Sequence, residues 1–429
     1  MDVFIIGAGY VGVTLGVVLS ERGFRVSFVD LDEIIVSGLN NREPAFYEAD
    51  LQKRFRLTFE ETRTIAFSDL TTAIGTSEQR VTAKGRSFVV TLGTPLDQEK
   101  CALISPIFDV CSQISEHVSD FDITILRSTV AIGTTRRLRD KFPNLKHIAF
   151  CPERTIEGAA LEELTKLPQV VSGVDAISMQ RAVDLFNQLG VECIRLESPE
   201  AAEMVKLASN SYRDVTFAFS NMLANLALSF DVNIYEVISA ANFRYDRNQI
   251  PTPGLVGGPC LEKDPYILSS CNRTPSPVNL LTVSRQTNEL FVDLAISEIE
   301  SHFGQDTRSI KILLCGLAFK GRPLTSDTRG SLAFRLLEGL RSKYYKSFTA
   351  WGLDPVVSRF DGIERVYSST EGLKMHSFDF VVQLTNHEMF ETDAFIDWVG
   401  ASKSRFISFW PVDSRLATPN SLLVGGFRR

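Results

Sequence analysis

A lone cysteine in the stretch GGPCLEKDP, residues 257–265, has neighbours that could tune its chemistry. The glycines let other atoms approach the sulfur closely, and the charge of Lys263 favours a thiolate over a thiol. Taken alone, Cys260 could be a nucleophile, a metal ligand or a buried thiol in a tight turn, and a buried thiol is the commonest state of a free cysteine. With five histidines, none of them nearby, and seven cysteines without a CxxC pair, no metal site is predicted.

The first thirty residues hold a glycine-rich turn that suits a dinucleotide. Gly7, Gly9 and Gly12 follow a short apolar strand with G-x-G-x-x-G spacing and open an apolar-periodic helix. This spacing permits a tight turn and close approach of a pyrophosphate, whose negative charge the helix N-terminus attracts. Asp30 ends the next strand, where it can accept hydrogen bonds from a ribose and repel a 2′-phosphate. The pattern predicts NAD binding, and a related fold with an idle turn is the alternative.

A long helix is predicted from Pro199, because about 30 residues show helical periodicity without glycine or a further proline. Lys206 and Asn210 are four residues apart and therefore share a face of this helix. A solvated polar pair on an amphipathic helix is the ordinary interpretation. If the pair faces Cys260, the cation of Lys206 could stabilise a thiolate there. A thiol nucleophile beside NAD has one obvious use: it captures an aldehyde as a thiohemiacetal, which then loses a hydride to give a thioester.

Further apolar strand patterns end at polar residues that could line the same site. Thr94, Thr129 and Glu153 each stand at the end of such a strand. Ligands bind beyond the carboxyl ends of the strands in open α/β sheets, so these three side chains are candidates for one crevice. The alternative for each of them is an ordinary turn residue.

The order of these patterns predicts an α/β protein with two Rossmann-like doubly wound parallel-sheet domains, joined by a long central helix and a helical middle region. The length of 429 residues suits two or three domains. The predicted boundaries are 1–198 for an NAD-binding domain and 199–305 for a central helical and dimerisation region that includes the cysteine stretch. Strand patterns return near residue 308, and a second Rossmann-like domain is predicted over 306–429.

Composition excludes several classes of partner. The net charge of −7 argues against a nucleic acid or an acidic membrane. No apolar run reaches the roughly 18 residues that a membrane span requires. The chain opens on MDVFIIGAGYVG without the pattern of a secretion signal, and its scattered cysteines do not suggest a disulfide framework. These features predict a cytoplasmic protein without a membrane partner.

Seven motifs occur in the order and at the spacing of one enzyme family, over nearly the whole chain. They are GAGYVG at 7–12, TP at 94–95, RSTVAIGTT at 127–135, CPERTIEG at 151–158, KLASN at 206–210, GGPCLEKDPY at 257–266 and GLAFKGRPLTSDTRGS at 316–331. The chain thus resembles the UDP-glucose/GDP-mannose dehydrogenase family. The resemblance implies oxidation of the C6 hydroxyl of a nucleotide sugar to a carboxylate, with two NAD molecules reduced in succession. It also implies that the C-terminal domain binds the UDP end of the substrate.

The resemblance implies a role for each catalytic candidate. Cys260 matches the nucleophile, and Lys206 and Asn210 match residues that stabilise developing oxyanions, with Lys206 also a candidate proton acceptor. Asp264 matches a residue that acts with an ordered water in general base catalysis. Thr129 matches a residue that helps to position this water.

One more catalytic role and the binding positions follow from the same matches. Glu153 matches a residue that assists thioester hydrolysis. Arg244 matches an arginine that reaches the substrate of the neighbouring subunit, which implies a homodimer or a higher homo-oligomer. The motif around Arg415 is too loose for an assignment. The positions matched to dinucleotide contacts are Gly7, Gly9, Tyr10, Val11, Gly12, Asp30, Thr94, Thr129, Glu157, Lys263 and Arg329. The positions matched to substrate contacts are Glu153, Arg154, Lys206, Asn210, Arg244, Gly257 and Lys320.

The identity of the sugar depends on a short segment around Arg154. Family members that act on UDP-glucose usually have PEF where this chain has PER, and the continuation GAALEEL at 158–164 resembles members that act on 2-acetamido sugars. The hypothesis is therefore UDP-N-acetylmannosamine or UDP-N-acetylglucosamine, with UDP-glucose and then GDP-mannose as alternatives. The product would be a uronic acid donor for a surface polysaccharide.

Two other classes of protein share part of this pattern. A two-electron hydroxyacid dehydrogenase also has a Rossmann domain followed by a long helix, but it needs neither a cysteine nor residues 308–429. A non-enzymatic regulator that binds NAD or a nucleotide sugar would be expected to have lost its catalytic residues. This chain keeps Cys260, Lys206, Asp264 and Glu153 together.

Overall fold

The computed structural model describes residues 1–59, 65–78, 85–272, 279–303, 309–344 and 348–428. The chain forms two compact units, one of Met1–Ser209 with Tyr266–Thr274, and one of Asn210–Pro265 with Pro275–Arg429. The division falls within the long helix that begins at Pro199.

The first unit is built on an eight-stranded sheet. Its strands are β1 (Asp2–Ile6), β2 (Arg25–Val29), β3 (Ala66–Phe67), β4 (Arg86–Val90), β5 (Ile123–Leu126), β6 (Ile148–Phe150), β7 (Gln169–Gly173) and β8 (Cys193–Arg195). Their spatial order is β3-β2-β1-β4-β5-β6-β7-β8. The first six strands are parallel and have the order of dinucleotide-binding sheets, so the strand order reverses between β1 and β4.

One strand pair departs from the predicted parallel arrangement. β7 pairs antiparallel with β6. The segment 151–168 that connects them contains only a four-residue helix, whereas a parallel pair needs a full crossover. The chain therefore turns back along the same edge of the sheet.

The helices of the first unit cover both faces of its sheet. Val3 and Ile5 of β1 join one buried apolar cluster, while Phe4 and Ile6 join another. Strands that are buried on both faces have continuous apolar sequences, as residues 3–6 do. The helices are α1 (Tyr10–Glu21), α2 (Glu33–Asn40), α3 (Leu51–Thr58), α4 (Leu70–Glu78), α5 (Ser105–His117), α6 (Thr134–Lys141), α7 (Ala160–Glu163), α8 (Ala176–Asn187) and the first part of α9 (Pro199–Ser229).

The second unit repeats this architecture after a helical region. The remaining helices of the chain are α10 (Ile234–Asn242), α11 (Asp264–Ser270), α12 (Leu280–Leu290), α13 (Asp293–Phe303), α14 (Leu332–Tyr344) and α15 (Asp393–Ala401). The strands are β9 (Ile310–Cys315), β10 (Phe348–Leu353), β11 (Val366–Tyr367), β12 (Phe380–Gln383), β13 (Arg405–Ser408), β14 (Val412–Asp413), β15 (Ser421–Leu423) and β16 (Phe427–Arg428).

The main sheet of the second unit is entirely parallel. Its order, β11-β10-β9-β12-β13-β15, again starts from the third strand and reverses beside the first. Ile312 and Leu314 of β9 face one apolar cluster, and Leu313 and Cys315 face another. The predicted α/β fold class with two doubly wound sheets and a long central helix is confirmed, and this helix runs for 31 residues.

Candidate active site

The glycine turn of the first unit has the shape that a dinucleotide needs. Gly7 has a φ of +98°, and a Cβ at Gly12 would lie 2.1 Å from the carbonyl oxygen of Gly7, so both positions require glycine. A Cβ at Gly9 would meet no described atom within 4 Å, which leaves the backbone open to a ligand. The Asp30 carboxylate accepts a hydrogen bond of 2.7 Å from the Ala8 N–H, at the end of β2. These residues fit NAD.

A buried carboxylate, which the sequence did not reveal, links the glycine turn to a second loop. The Tyr10 hydroxyl donates to Glu48, and the Gly158 N–H lies 2.6 Å from Glu48 Oε2 and 2.7 Å from the Tyr10 oxygen. Burial, reinforced by Glu48, raises the pKa of Tyr10 far above its usual value, so the hydroxyl stays protonated. Glu157 is thereby held near the start of α1, where Val11 also lies. Both residues are predicted to contact the dinucleotide.

Two predicted threonines meet at the carboxyl ends of neighbouring strands. The Thr94 hydroxyl, beyond β4, donates a hydrogen bond of 2.6 Å to the carbonyl oxygen of Thr129, beyond β5. Thr94 is buried and Thr129 is partly exposed. The contact places both residues at the edge of the sheet where the predicted crevice lies.

Glu153 is the centre of a buried polar cluster in the first unit. Its Oε1 accepts hydrogen bonds of 2.8 Å from the N–H groups of Arg154 and Thr155. Its Oε2 forms an ion pair with Arg127, whose side chain is fully buried. The Lys206 ammonium group donates to the carbonyl oxygen of Glu153 at 2.5 Å. Two predicted catalytic residues, Glu153 and Lys206, are therefore in direct contact.

The charge of Glu153 is fixed by its neighbours. Burial by itself raises the pKa of the carboxyl, but Arg127, the Thr155 N–H and Lys206 together hold it below the ordinary value. Glu153 is therefore an anion at neutral pH. The guanidinium of Arg154, predicted to contact the substrate, donates to the carbonyl oxygen of Pro168.

Replacing Arg127 with Met is expected to move the acidic limb of the activity profile toward neutral pH. Without the guanidinium, the effect of burial is no longer offset by this cation, and the Glu153 pKa rises. A function that needs the anion is present above that pKa and is lost as the pH falls through it. The measurement is the turnover number against pH for wild type and Arg127→Met.

Two further variants control this result. Arg127→Lys keeps the cation and should keep most of the wild-type profile. Arg136→Met removes an ion pair with Glu200 at the surface of the same unit, and it should leave the limb in place. An Arg127→Met limb that coincides with that of the wild type would contradict the assigned charge effect.

A second buried carboxylate, Glu203, fastens α9 to the loop that follows Thr129. It accepts hydrogen bonds from the N–H groups of Gly133 at 2.5 Å and Thr135 at 2.8 Å, and from the Thr135 hydroxyl at 2.6 Å. It therefore caps α6 from a different helix. Glu203 lies three residues before Lys206, so the cap also fixes the part of α9 that carries this lysine.

Cys260 lies in the second unit. The chain has seven cysteines, all of them among the described residues, and Cys260 is the one that is exposed. Burial raises the pKa of Cys111 and of Cys151 to about 12, which keeps these two thiols protonated and inert. Cys260 lies in the loop of residues 256–263, here called the cysteine loop, directly before α11. Of the three alternatives for Cys260, a buried thiol is therefore excluded.

The carboxylate of Asp264 ties the cysteine loop to α9. Its two oxygens accept hydrogen bonds of 2.7 Å from the Lys263 ammonium group and 2.6 Å from the Asn210 amide. The Asp264 N–H donates to the carbonyl oxygen of Cys260 at 3.0 Å. Four of the predicted residues thus form one cluster in which the buried carboxylate is matched by a cation.

The loop after β9 lies directly on the cysteine loop. A Cβ at Gly257 would lie 2.1 Å from the carbonyl oxygen of Gly330, and the Gly258 N–H donates to the same oxygen at 2.9 Å. The Phe319 ring packs against Gly258, and the Lys320 ammonium group lies 5.5 Å from the centre of that ring. Lys320, predicted to contact the substrate, therefore lies close to the cysteine loop, which includes the other predicted contact, Gly257.

Three arginines have other surroundings. Arg329, next to Gly330, is exposed and paired with Asp327. Arg244 has a φ of +52° in an exposed loop, with its guanidinium over the ring of Phe243 rather than in the cysteine-loop cluster. Arg415 forms ion pairs with three carboxylates, of which Asp413 and Asp393 raise its pKa, and no role is assigned to it.

The strand order, the glycine turn and Asp30 define the first unit as an NAD-binding domain of a dehydrogenase. Residues 1–190 match the model of the UDP-glucose/GDP-mannose dehydrogenase family, NAD binding domain, and residues 200–290 match that of the same family's central domain. The chain belongs to the UDP-glucose/GDP-mannose dehydrogenase family. It is an NAD-dependent nucleotide-sugar dehydrogenase, and NAD is its cofactor.

Known relatives align along nearly the entire chain. UDP-N-acetyl-D-mannosamine dehydrogenase of Pyrococcus horikoshii is 28% identical over 419 residues, which cover 94% of this chain and 93% of the relative. The enzyme of that name from Escherichia coli K12 is 26% identical over 414 residues, covering 90% and 94%. Among solved structures, the UDP-D-ManNAc dehydrogenase from P. horikoshii matches with a TM-score of 0.83, 24% identity and 99% coverage of both chains.

A UDP-glucose dehydrogenase from Pyrobaculum islandicum has the same fold, with a TM-score of 0.79, 21% identity, and coverage of 100% of this chain and 97% of that one. Within the described ranges, no helix is long and apolar enough to cross a membrane. In the same ranges, no group of three or more His, Cys, Asp or Glu side chains could hold a metal ion.

Proposed function

We propose that this enzyme oxidises the C6 hydroxyl of a UDP-sugar to a carboxylate, a four-electron reaction, and that its substrate is UDP-N-acetylmannosamine or UDP-N-acetylglucosamine. One observation carries the proposal: the single exposed thiol, Cys260, lies beside the ion pair of buried Asp264 with partly buried Lys263, in a chain of this family. The names of the relatives from P. horikoshii and E. coli support an acetamido sugar, as does Arg154 in the PER motif.

The first oxidation gives the aldehyde. Bound NAD accepts the hydride that carbon loses in each oxidation. In the first of these, the C6 hydroxyl gives up its proton to Asp264 through a water, which Thr129 helps to position. The cation of Lys206 lowers the cost of the developing negative charge on oxygen, and Lys206 is also a candidate acceptor for the proton.

The second oxidation needs the thiol. The Cys260 thiolate adds to the aldehyde carbon, and Lys206 and Asn210 stabilise the oxyanion of the thiohemiacetal. Loss of hydride from this carbon leaves a thioester. A water molecule, assisted by the Glu153 anion, then breaks the carbon–sulfur bond and returns the thiolate. The sum is one alcohol and one water converted to one carboxylate, with two hydrides transferred and three protons released.

The remaining predicted positions would bind the two ligands. Lys320, Gly257 and Arg154 are proposed to contact the nucleotide sugar, as is Arg244 from a neighbouring subunit. For the dinucleotide, the proposed contacts are Gly7, Gly9, Tyr10, Val11, Gly12, Asp30, Thr94, Thr129, Glu157, Lys263 and Arg329.

The deciding experiment counts NADH per sugar consumed for UDP-N-acetylmannosamine, UDP-N-acetylglucosamine and UDP-glucose. Two NADH per acetamido sugar, with a uronic acid identified by mass spectrometry, is the expected result. Turnover of UDP-glucose while both acetamido sugars are inert would reject the substrate assignment. One NADH per sugar would reject the four-electron reaction in favour of a two-electron dehydrogenase.

We also propose that a second copy of the chain covers part of α9. Large apolar side chains are exposed at Tyr212, Phe219 and Leu226, whose spacing places them along one stripe of the helix, and at Phe230, which directly follows its last residue. A contiguous exposed apolar stripe is typical of an interface between protein chains.

Phe219→Glu is accordingly expected to shift the protein to a smaller species, since a charge in an apolar interface must be desolvated without a partner. Sedimentation velocity is the measurement, with Leu57→Glu as control because Leu57 is also exposed but lies on α3. A wild-type protein that sediments as a monomer, or a Phe219→Glu variant of wild-type size, would reject this interface.

A further inference from the structure

Arg285 of α12 is the largest fully buried side chain described in the protein, and no motif in the sequence marks it. Its guanidinium forms an ion pair with Asp214 of α9 at 2.6 Å, and both side chains are fully buried. A buried pair of this kind costs more in desolvation than an apolar pair of similar volume, so its presence calls for a function.

The same guanidinium holds the cysteine loop on both sides of the nucleophile. Arg285 Nη2 donates to the carbonyl oxygen of Val256 at 2.7 Å, and Nη1 donates to that of Leu261 at 3.3 Å. Val256 lies four residues before Cys260, and Leu261 directly follows it. One planar group therefore spans the loop, which a lysine with its compact ammonium group could not do.

Asp214 is itself fixed by an adjoining amide network. The Asn288 amide donates to the Asp214 carbonyl and carboxylate oxygens at 2.9 Å each. Asn288 accepts from Asn221, which in turn accepts from the Gly254 N–H, both at 2.9 Å. These bonds join α9, α12 and the segment that leads into the cysteine loop.

We propose that Arg285 is a positioning residue for the thiol chemistry of Cys260. It fixes the cysteine loop against the face of α9 that carries Asn210 and Asp214, so that the sulfur stays where it must attack. The inference rests on the proposed function of Cys260. It assigns no contact with substrate or cofactor to Arg285, which acts only through the loop.

The test follows NADH in a single turnover, with wild-type, Arg285→Lys and Arg285→Met enzymes in excess over the sugar. A displacement of about 1 Å can cost a reaction about a hundredfold, so the second equivalent of NADH should appear about a hundredfold more slowly in both variants. The first equivalent, which does not use the sulfur, should change little. An aldehyde, trapped as a hydrazone, should accumulate between the two phases.

A substrate-independent readout separates this inference from the proposed function. Amide hydrogen exchange of residues 256–263 should become at least about tenfold faster in the Arg285 variants, while β9 and β10 keep their protection. If wild type releases only one NADH, the proposed function fails, and the exchange result still decides whether Arg285 holds the loop.

Two more variants cover the case of a folding defect. Asn288→Ala removes two hydrogen bonds to Asp214. It should also slow the second NADH phase more than the first, but by a smaller factor than the Arg285 variants. Arg405→Met removes the pair with Glu298 in the same unit, outside the cysteine loop, and should keep the wild-type phases even where its melting temperature falls. Equal slowing of both phases, or unchanged exchange in the cysteine loop, would overturn the proposal.

Discussion

Cys260→Ala enzyme is expected to stop at the aldehyde and to release at most one NADH per UDP-sugar. Alanine cannot form the thiohemiacetal, so acid production should fall by about a thousandfold or more, in line with the loss of other enzymic nucleophiles. The first oxidation removes a proton and a hydride from C6 without the sulfur, so it should persist. Absorbance of NADH together with mass spectrometry of the sugar nucleotide measures both quantities.

Cys193→Ala is the matched control, because Cys193 is half-buried on the edge strand β8 and has no proposed role. It should still release two NADH per sugar. If Cys260→Ala also releases two, the thioester route is wrong, whatever the identity of the sugar.

The parts of this molecule that could be predicted from sequence are those that local pattern determines. The glycines at 7, 9 and 12 and the apolar strands on either side of them imply a strand, a turn and a helix from steric requirements alone. The sheet then brings Thr94 and Thr129 together, because strands β4 and β5 are neighbours whose carboxyl ends meet at one edge.

The parts that could not be predicted are buried charges whose partners are distant in sequence. Glu48 meets Gly158 across 110 residues, Glu203 meets Gly133 across 70, and Arg285 meets Asp214 across 71. Each of these charged residues lies in or near an amphipathic segment, where a charge is ordinarily solvated. Its burial follows only from the folded position of its partner, which no local pattern specifies.

Arg154 shows a second limit of prediction from sequence, which concerns the contacts of a side chain rather than its burial. The hypothesis of an acetamido sugar depends on its residue type, yet its side chain donates a hydrogen bond to the carbonyl oxygen of Pro168 within its own unit. The residue type therefore does not specify which atoms the side chain contacts.

Asp264→Asn is expected to slow the first oxidation by about a thousandfold, because a general base contributes roughly 10² to 10⁴ in rate. Asparagine keeps the shape of the side chain but cannot take up the C6 proton, directly or through water. Its amide N–H groups would also face the donors Lys263 and Asn210, which now donate to the carboxylate. Unlike Cys260→Ala, this variant should yield almost no NADH and no aldehyde, so the two variants separate the two oxidations.

Asp122→Asn provides the control for lost stability. Asp122 pairs with Arg86 at 2.9 Å, with side-chain exposures of 1% and 18%, and Asp264 pairs with Lys263 at 2.7 Å, with exposures of 0% and 18%. Breaking either pair should cost about 3 kcal/mol, so the two variants should lose similar stability in urea unfolding. Asp122 lies at the amino end of β5, away from the carboxyl ends of the strands, and its variant should oxidise the sugar at the wild-type rate. A comparable loss of rate in both variants would mean that Asp264 serves the fold rather than proton transfer.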